Sequence, residues 1–97
     1  MNIERNLENN ILTLTLIGRL DTMTAPLFEK EIVDLDNVNL LIIDMKNLEY
    51  ISSAGLRVIL KAKKAMNSHG DMKLINVCKV VMEVLEITGF SNIITIE

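Results

Sequence analysis

Residues 40–66 read LLIIDMKNLEYISSAGLRVILKAKKAM, and this stretch decides the fold. It opens on the continuous apolar run 40–43, which ends at Asp44 and is typical of a strand buried on both faces of a parallel sheet. After two serines, apolar residues recur at helical spacing, and the polar segment 67–70 supplies a stop. The stretch therefore predicts a central strand followed by a helix from about Ala54 to Met66.

Upstream of this stretch, two runs alternate apolar and polar side chains on either side of a pair of asparagines. Residues 2–7 and 11–17 therefore predict two strands joined by a tight turn. Gly18 to Asp21 is expected to break the second strand. Hydroxyl cap candidates then precede Pro26, which is typical of a helix start, and the apolar spacing suits a helix to about Asp34.

Downstream, residues 72–76 read as another strand, and a helical stripe then stops at Gly89 before a last strand from Ile93 to Ile96. The predicted order is β-β-α-β-α-β-α-β. Strands that alternate with helices imply crossover connections and parallel pairing, while the first hairpin makes the sheet mixed. We therefore predict an α/β fold in which residues 1–97 form a single domain, with a mostly parallel sheet of about five strands and helices packed on it.

Composition excludes several classes of function. The 13 acidic and 10 basic residues are mixed along the chain and leave a net charge of −3, which is not the strongly basic footprint of a nucleic-acid-binding protein. Apolar residues make up 49% and charged residues 24%, as in a folded globular chain. The start lacks the segments of a signal peptide, and no apolar run approaches ~18 residues. We expect a cytoplasmic protein that binds neither nucleic acid nor membrane.

Several residues belong to types that often bind metals or react chemically, but here we expect them to be structural. Cys78 is the only cysteine and His69 the only histidine, so no intrachain disulfide forms and no metal-ligand spacing is recognisable. Met45, Met66 and Met72 lie in apolar patterns and are expected to fill the core. The sequence therefore predicts a reducing compartment, no metal and no cofactor.

Two loops are the best candidates for a binding site, because sites in open α/β sheets gather where strands end at their carboxyl side. They are residues 18–24 and 47–53. Ser52 and Ser53 stand directly before a helix, where a serine hydroxyl ordinarily accepts a hydrogen bond from a free backbone N–H and stabilises the helix by about 1 kcal/mol. The same position also tolerates a phosphate, since a helix N-terminus carries unpaired donors and a positive dipole end.

Residues 50–60, YISSAGLRVIL, resemble the signature loop and helix of STAS domains of the anti-sigma factor antagonist family. Two further blocks match in order. Residues 18–21 (GRLD) with 24–26 (TAP) resemble the first conserved loop of that family, and residues 84–90 (VLEITGF) resemble its closing helix. The resemblance spans nearly the whole chain.

The resemblance implies a bacterial regulator of transcription. In that family, the unphosphorylated antagonist binds an anti-sigma factor that is also a serine kinase, which frees the sigma factor. Phosphorylation of a serine in the signature loop ends the binding, and a phosphatase restores it. By position, this serine is Ser53. The aspartate that usually precedes it in the family is replaced here by Ser52.

The resemblance also suggests which residues meet the partner. The expected partner-binding residues are Asp21, Met23, Thr24, Ser52, Ser53, Gly55 and Arg57. For several of them an ordinary structural role stays open: Asp21 as a solvated turn residue, Arg57 as a solvated side chain. Arg57 also lies one turn from Ser53, within reach of a phosphate there or of an acidic group on a partner. Gly55 within the first turn indicates a close approach, either by another chain or by packing inside the domain.

Three functions follow from these observations. The first is an anti-sigma factor antagonist switched off by phosphorylation of Ser53, acting as a monomer. The second is an interaction module of a transporter or a sensory complex that carries no phosphoswitch. The third is an enzyme, which the sequence disfavours because it has one histidine, no Gly-x-Ser-x-Gly elbow and no glycine-rich phosphate loop. We therefore expect a binding protein without catalytic residues.

Overall fold

The computed structural model describes residues 1–97. Five strands and three α-helices form in the predicted order, and one short 3-10 helix that was not predicted lies before the last strand. The strands are β1 (Asn2–Glu8), β2 (Ile11–Leu20), β3 (Leu40–Ile51), β4 (Asp71–Ile75) and β5 (Thr95–Ile96). The helices are α1 (Ala25–Glu31), α2 (Ser53–Met66) and α3 (Lys79–Ile87), with the 3-10 helix at Phe90–Asn92.

The five strands form one sheet in the order β1-β2-β3-β4-β5. β1 pairs with β2 antiparallel, and all other neighbours are parallel, so the prediction of a mixed, mostly parallel sheet is confirmed. Alternate residues of the central strands are fully buried and join buried residues of all three helices in one cluster. One face of the sheet therefore carries the hydrophobic core.

The turn between β1 and β2 follows from its two asparagines. Asn9 and Asn10 adopt φ angles of 52° and 64°, and positive φ at both central residues is what a two-residue type I′ hairpin requires. Asparagine tolerates this region better than most residues. The predicted tight turn is confirmed.

Both strands that lead to the candidate site are longer than the sequence pattern indicates. Gly18 to Asp21 does not end β2, because Gly18 takes φ = 111° and the strand continues through register shifts to Leu20. Likewise β3 does not end at Asp44 but runs on to Ile51. The predicted loop 47–53 therefore shrinks to the junction at Ser52.

Two other boundaries differ from the prediction. Helix α1 ends at Glu31 rather than near Asp34, and the last strand comprises only Thr95–Ile96. The 3-10 turn takes up the residues just before that strand. Gly89 adopts φ = 82° after α3, in the left-handed region that glycine enters without strain, so the predicted stop is confirmed.

The residues expected to be structural occupy structural positions. Met45, Met66 and Met72 are at most 3% exposed and belong to the core, as predicted. His69 follows α2, and its Nε2 lies 2.6 Å from the carbonyl oxygen of Leu35. Cys78 occupies the N-cap position of α3 without a side-chain cap hydrogen bond, and its Sγ donates to the backbone carbonyl of Leu48. None of the helices has the length and apolar character needed to span a membrane.

Candidate functional site

The ends of β2 and β3 bring the two candidate segments together. Leu20 pairs with Ile51 in the parallel register, and the backbone N–H of Ser52 donates to the carbonyl of Leu20 at 2.9 Å. The loop 21–24 leaves β2 at the point where α2 begins. Both segments therefore lie side by side at the carboxyl edge of the sheet, where such folds place their sites.

The loop 21–24 is held by a closed set of hydrogen bonds. Asp21 Oδ1 accepts from the backbone N–H groups of Met23 and Thr24, at 3.0 and 3.1 Å. Thr24 Oγ1 accepts from the backbone N–H of Asp21 at 2.9 Å and donates to the carbonyl of Arg19 at 2.7 Å. Side chain and backbone thus fix each other across the turn.

These contacts set the ionisation of Asp21. Partial removal from water raises the pKa of its carboxyl, but the hydrogen bonds from Thr24 and Met23 and the nearby Arg19 guanidinium lower it by more. The pKa therefore lies below its ordinary value of 3.8. Since Oδ1 is already occupied within the loop, the carboxylate is first of all a support for this turn.

A contact between Arg19 and Tyr50 at this edge was not predicted from the sequence. The guanidinium of Arg19 stacks 4.2 Å from the ring centroid of Tyr50, and its Nε lies 3.9 Å from Asp21 Oδ2. Arg19 and Tyr50 are register partners in β2 and β3. Only the pairing of the two strands reveals this contact, so no local signal points to it.

Met23 projects from the loop that Asp21 fixes. It is 85% exposed, although its side chain is apolar. The hydrogen bond to its backbone N–H holds its main chain in place. An exposed thioether on a fixed backbone is suited to an apolar contact with another molecule.

Ser52 occupies the N-cap position of α2, but its hydroxyl does not act as a cap. Its backbone is extended, and its side chain makes no cap hydrogen bond. Ser52 Oγ is buried without any hydrogen-bond partner. The prediction that this hydroxyl accepts from a free helix N–H is therefore wrong. The backbone of Ser52 is tied to Leu20 as a continuation of the sheet, and its hydroxyl lies enclosed there.

Ser53 is the first residue of α2, and it is exposed. Two positions on, Gly55 is buried. A Cβ added to Gly55 would lie 2.6 Å from Cγ of Leu20 and 3.0 Å from Cγ1 of Ile51. Packing within the domain thus accounts for the glycine, which lets the first turn of α2 sit directly on the ends of β2 and β3.

Arg57 lies on the exposed side of α2, one turn after Ser53. It borders a groove of about 360 Å³ between α1 and α2, whose other polar lining residues are Thr22, Glu29 and Lys61. Lys61 forms an ion pair with Glu29, whereas Arg57 makes no ion pair. The groove therefore has one unpaired cation on its rim, and this cation lies one helical turn after Ser53.

The structure brings together all seven residues predicted for partner binding at one edge of the sheet, within the segments 21–24 and 52–57. Met23, Ser53 and Arg57 are exposed, while Gly55 is buried and the hydroxyl of Ser52 is enclosed. No group of three His, Cys, Asp or Glu side chains is arranged to hold a metal ion. The arrangement offers an exposed hydroxyl, an exposed apolar side chain and a free guanidinium on these two segments.

Comparison with known proteins gives consistent matches. The anti-sigma-B factor antagonist of Bacillus subtilis is 28% identical over 98 residues, covering 99% of this chain and 90% of the relative. The crystal structure described as an anti-sigma factor antagonist from Thermotoga maritima superposes with a TM-score of 0.88 at 24% identity, covering 97% of this chain and 84% of the other.

A further structure shows the same fold. It is the Bacillus cell fate determinant SpoIIAA in its phosphorylated form, with a TM-score of 0.77 at 16% identity, covering 99% of this chain and 91% of the other. The family model of the STAS domain matches residues 2–97, which is nearly the full chain. The fold, the ordered motifs and this match agree, and the chain belongs to the STAS domain family.

Proposed function

We propose that this protein is an anti-sigma factor antagonist that binds a serine-kinase anti-sigma factor in the cytoplasm and thereby frees a sigma factor. Phosphorylation of Ser53 ends the binding, and a serine phosphatase restores it. The observation that carries the proposal is the exposed hydroxyl of Ser53 at the first position of α2, next to a loop whose backbone is fixed. The name of the Bacillus subtilis relative supports the same role.

A phosphate at Ser53 changes the surface and spares the core. It adds ~1.5 to 2 negative charges near pH 7 and three acceptor oxygens. The first turn of α2 offers unpaired backbone N–H groups and the positive end of the helix dipole. Because Ser53 is exposed, the modification displaces no buried side chain. Binding therefore switches through repulsion and desolvation at the surface, without unfolding.

The choice between the two adjacent serines follows from burial. Ser52 Oγ is enclosed and unpartnered, whereas Ser53 is exposed. A kinase needs the hydroxyl oxygen in line with the transferred phosphoryl group, so only Ser53 is accessible without opening the domain. Ser52 replaces the family's aspartate and so removes a negative charge. Because its hydroxyl is enclosed, it does not add a second phosphorylation site.

The predicted partner-binding residues divide into two roles in this proposal. Met23, Ser53 and Arg57 are exposed and contact the partner directly. The others hold this surface in shape: Asp21 and Thr24 by their hydrogen bonds, Gly55 by close packing, and Ser52 through its backbone. The protein recognises its partner and carries no catalytic residue of its own.

Phosphate mapping tests this proposal. The protein is incubated with ATP and the serine-kinase anti-sigma factors of the organism that encodes it, and the modified residue is identified by mass spectrometry. We expect phosphate on Ser53 in the wild type and in the matched control Ser52→Ala, and none in Ser53→Ala. Phosphate on another residue, with Ser53 unmodified, would contradict the assigned site.

Binding of Ser53→Asp distinguishes the alternative function. An interaction module of a transporter or a sensory complex without a phosphoswitch would bind its partner equally well as wild type and as Ser53→Asp. The antagonist that we propose would lose its kinase partner in the Ser53→Asp variant. A pull-down with both proteins in parallel, followed by identification of the captured partners, separates the two outcomes.

A further inference from the structure

Arg57 is the only arginine of this chain without a partner. Of the three arginines, Arg5 pairs with Glu31 at 3.4 Å, and Arg19 contacts both Asp21 and the ring of Tyr50. Arg57 is exposed and makes neither an ion pair nor a side-chain hydrogen bond. A guanidinium left free next to a modifiable hydroxyl is available for a new anion.

The position of Arg57 on α2 matches that of Ser53. Both lie on the helix, four residues apart, and side chains at this spacing are neighbours with Cβ atoms about 5–6 Å from each other. The order of the charges is also favourable, because an anion that precedes a cation by four residues is the better orientation. A guanidinium presents parallel N–H donors that match phosphate oxygens.

No acidic side chain on the helix or beside it holds Arg57. Helix α2 contains Arg57 and three lysines but no acidic residue. The nearest acidic residue across the groove is Glu29, and it is already held by Lys61. Asp21, on the neighbouring loop, is bound by backbone N–H groups and Arg19. A phosphate on Ser53 would therefore be the first anion within reach of a free Arg57.

We propose that Arg57 binds the phosphate of phosphorylated Ser53, so that the switch carries its own counter-ion. This inference rests on the proposed phosphorylation of Ser53 and extends it. The unphosphorylated form presents Arg57 to an acidic group of the partner. The phosphorylated form withdraws that guanidinium into an intramolecular pair. The modification then removes a cation from the binding surface at the same time as it adds an anion.

A titration of the phosphate tests this pairing without kinase or partner. Phosphoserine is incorporated at position 53 during synthesis of the full chain, and the second pKa of its phosphate is followed by ³¹P NMR. A neighbouring cation favours the dianion, so Arg57→Gln should raise this pKa by at least ~0.3 unit relative to the chain that keeps Arg57. The difference should shrink at ~1 M salt, where charges on the surface are screened.

Lys64→Gln is the matched control. Lys64 is also an exposed cation of α2 without an ion pair, but it lies about three turns from Ser53, so its removal should leave the phosphate pKa unchanged. Amide NMR spectra verify that each variant keeps the fold. An equal pKa in Arg57→Gln and Lys64→Gln would overturn the pairing, even if Ser53 proves to be the site that the kinase modifies.

Discussion

At the residue scale, the two helices that flank the site begin with hydroxyl residues that behave differently. Thr24 stands at the N-cap of α1, and its Oγ1 accepts from Asp21 N–H and donates to the carbonyl of Arg19. Ser52 stands at the N-cap of α2, and its Oγ is buried without a partner. The same residue class at the same position therefore contributes differently to stability.

Removal of each hydroxyl should expose this difference. Thr24→Ala loses two hydrogen bonds and should lower the free energy of unfolding by about 1–3 kcal/mol. Ser52→Ala removes an unpaired buried oxygen and should leave the free energy of unfolding unchanged within about 0.5 kcal/mol or raise it, in contrast to the usual cost of a lost cap. Urea unfolding monitored by circular dichroism measures both. A loss of more than about 1 kcal/mol in Ser52→Ala would show that the hydroxyl has a partner after all.

The lowered pKa of Asp21 predicts that the free energy of unfolding depends on pH. Because its pKa is depressed in the folded protein, its contribution to stability is complete above the ordinary value of 3.8 and is lost as the pH falls through the lower folded value. Asp21→Asn keeps an acceptor oxygen but does not titrate. Between about pH 5 and pH 2.5, the wild type should therefore lose more stability than Asp21→Asn in urea unfolding. Parallel profiles for the two proteins would contradict the assigned hydrogen bonds.

The sequence indicated exposed candidate residues at this edge but not the contacts around them. Ser53 and Met23 follow from local patterns and from the resemblance of residues 50–60, and both are exposed as a contact surface needs. The lack of a hydrogen bond at the Ser52 hydroxyl was not predictable. The position of Ser52 depends on a backbone hydrogen bond to Leu20, which lies 32 residues earlier in the chain. Contacts between distant segments leave no trace in local sequence.

At the scale of the elements, α2 packs against the ends of β2 and β3 at Gly55. Gly55 is buried in the first turn of the helix, directly against Leu20, which is itself fully buried. A glycine ordinarily weakens a helix by about 1 kcal/mol relative to alanine. Here that cost is offset by a close approach that fixes Ser53 relative to the loop 21–24.

Gly55→Ala should consequently destabilise the protein although alanine is the better helix former. The new Cβ would lie 2.6 Å from Leu20 Cγ, and overpacking of a core typically costs about 1–3 kcal/mol. We expect a net loss of about 1–2 kcal/mol in the free energy of unfolding after the gain in helix propensity. The exposed control Lys64→Ala should change it by less than about 0.5 kcal/mol. A Gly55→Ala protein more stable than wild type would contradict the close packing.

The lengths of β2 and β3 show where sequence patterns stop being informative. Asp44 suggests a strand end, yet it is 8% exposed within β3, where its Oδ1 accepts from the side chain of Asn76 and from the backbone N–H of Lys46. Asn76 follows β4 and lies 32 residues away in sequence. A buried carboxylate is tolerated when such donors satisfy it, and only the assembled sheet supplies them.

At the scale of the whole molecule, the proposed phosphorylation site and the core are separate. A single cluster of 24 buried residues holds the sheet and helices together, and Ser53 lies outside it. A domain of this kind is stabilised by only about 5–15 kcal/mol in total, so a switch that disturbed the core would risk unfolding the protein. The surface position of Ser53 avoids that conflict.

Phosphorylation should therefore leave the stability of the domain almost unchanged. With phosphoserine at position 53, we expect a free energy of unfolding within about 1 kcal/mol of the unmodified protein, and not lower, because the helix dipole favours an anion in the first turn. Changes in amide NMR shifts should be confined to residues 21–24 and 52–57. A loss of more than about 2 kcal/mol, or shift changes across β4 and β5, would indicate a switch that acts by unfolding.

The most direct test of the central claim is whether phosphorylation of Ser53 weakens binding to the proposed kinase partner. The full chain, carrying serine or phosphoserine at position 53, is used to capture proteins from the organism that encodes it, and the serine-kinase anti-sigma factor is quantified. We predict that the unmodified chain retains this kinase and that the phosphorylated chain binds it at least about tenfold more weakly, a difference of about 1.4 kcal/mol. Equal recovery by both forms would contradict the account.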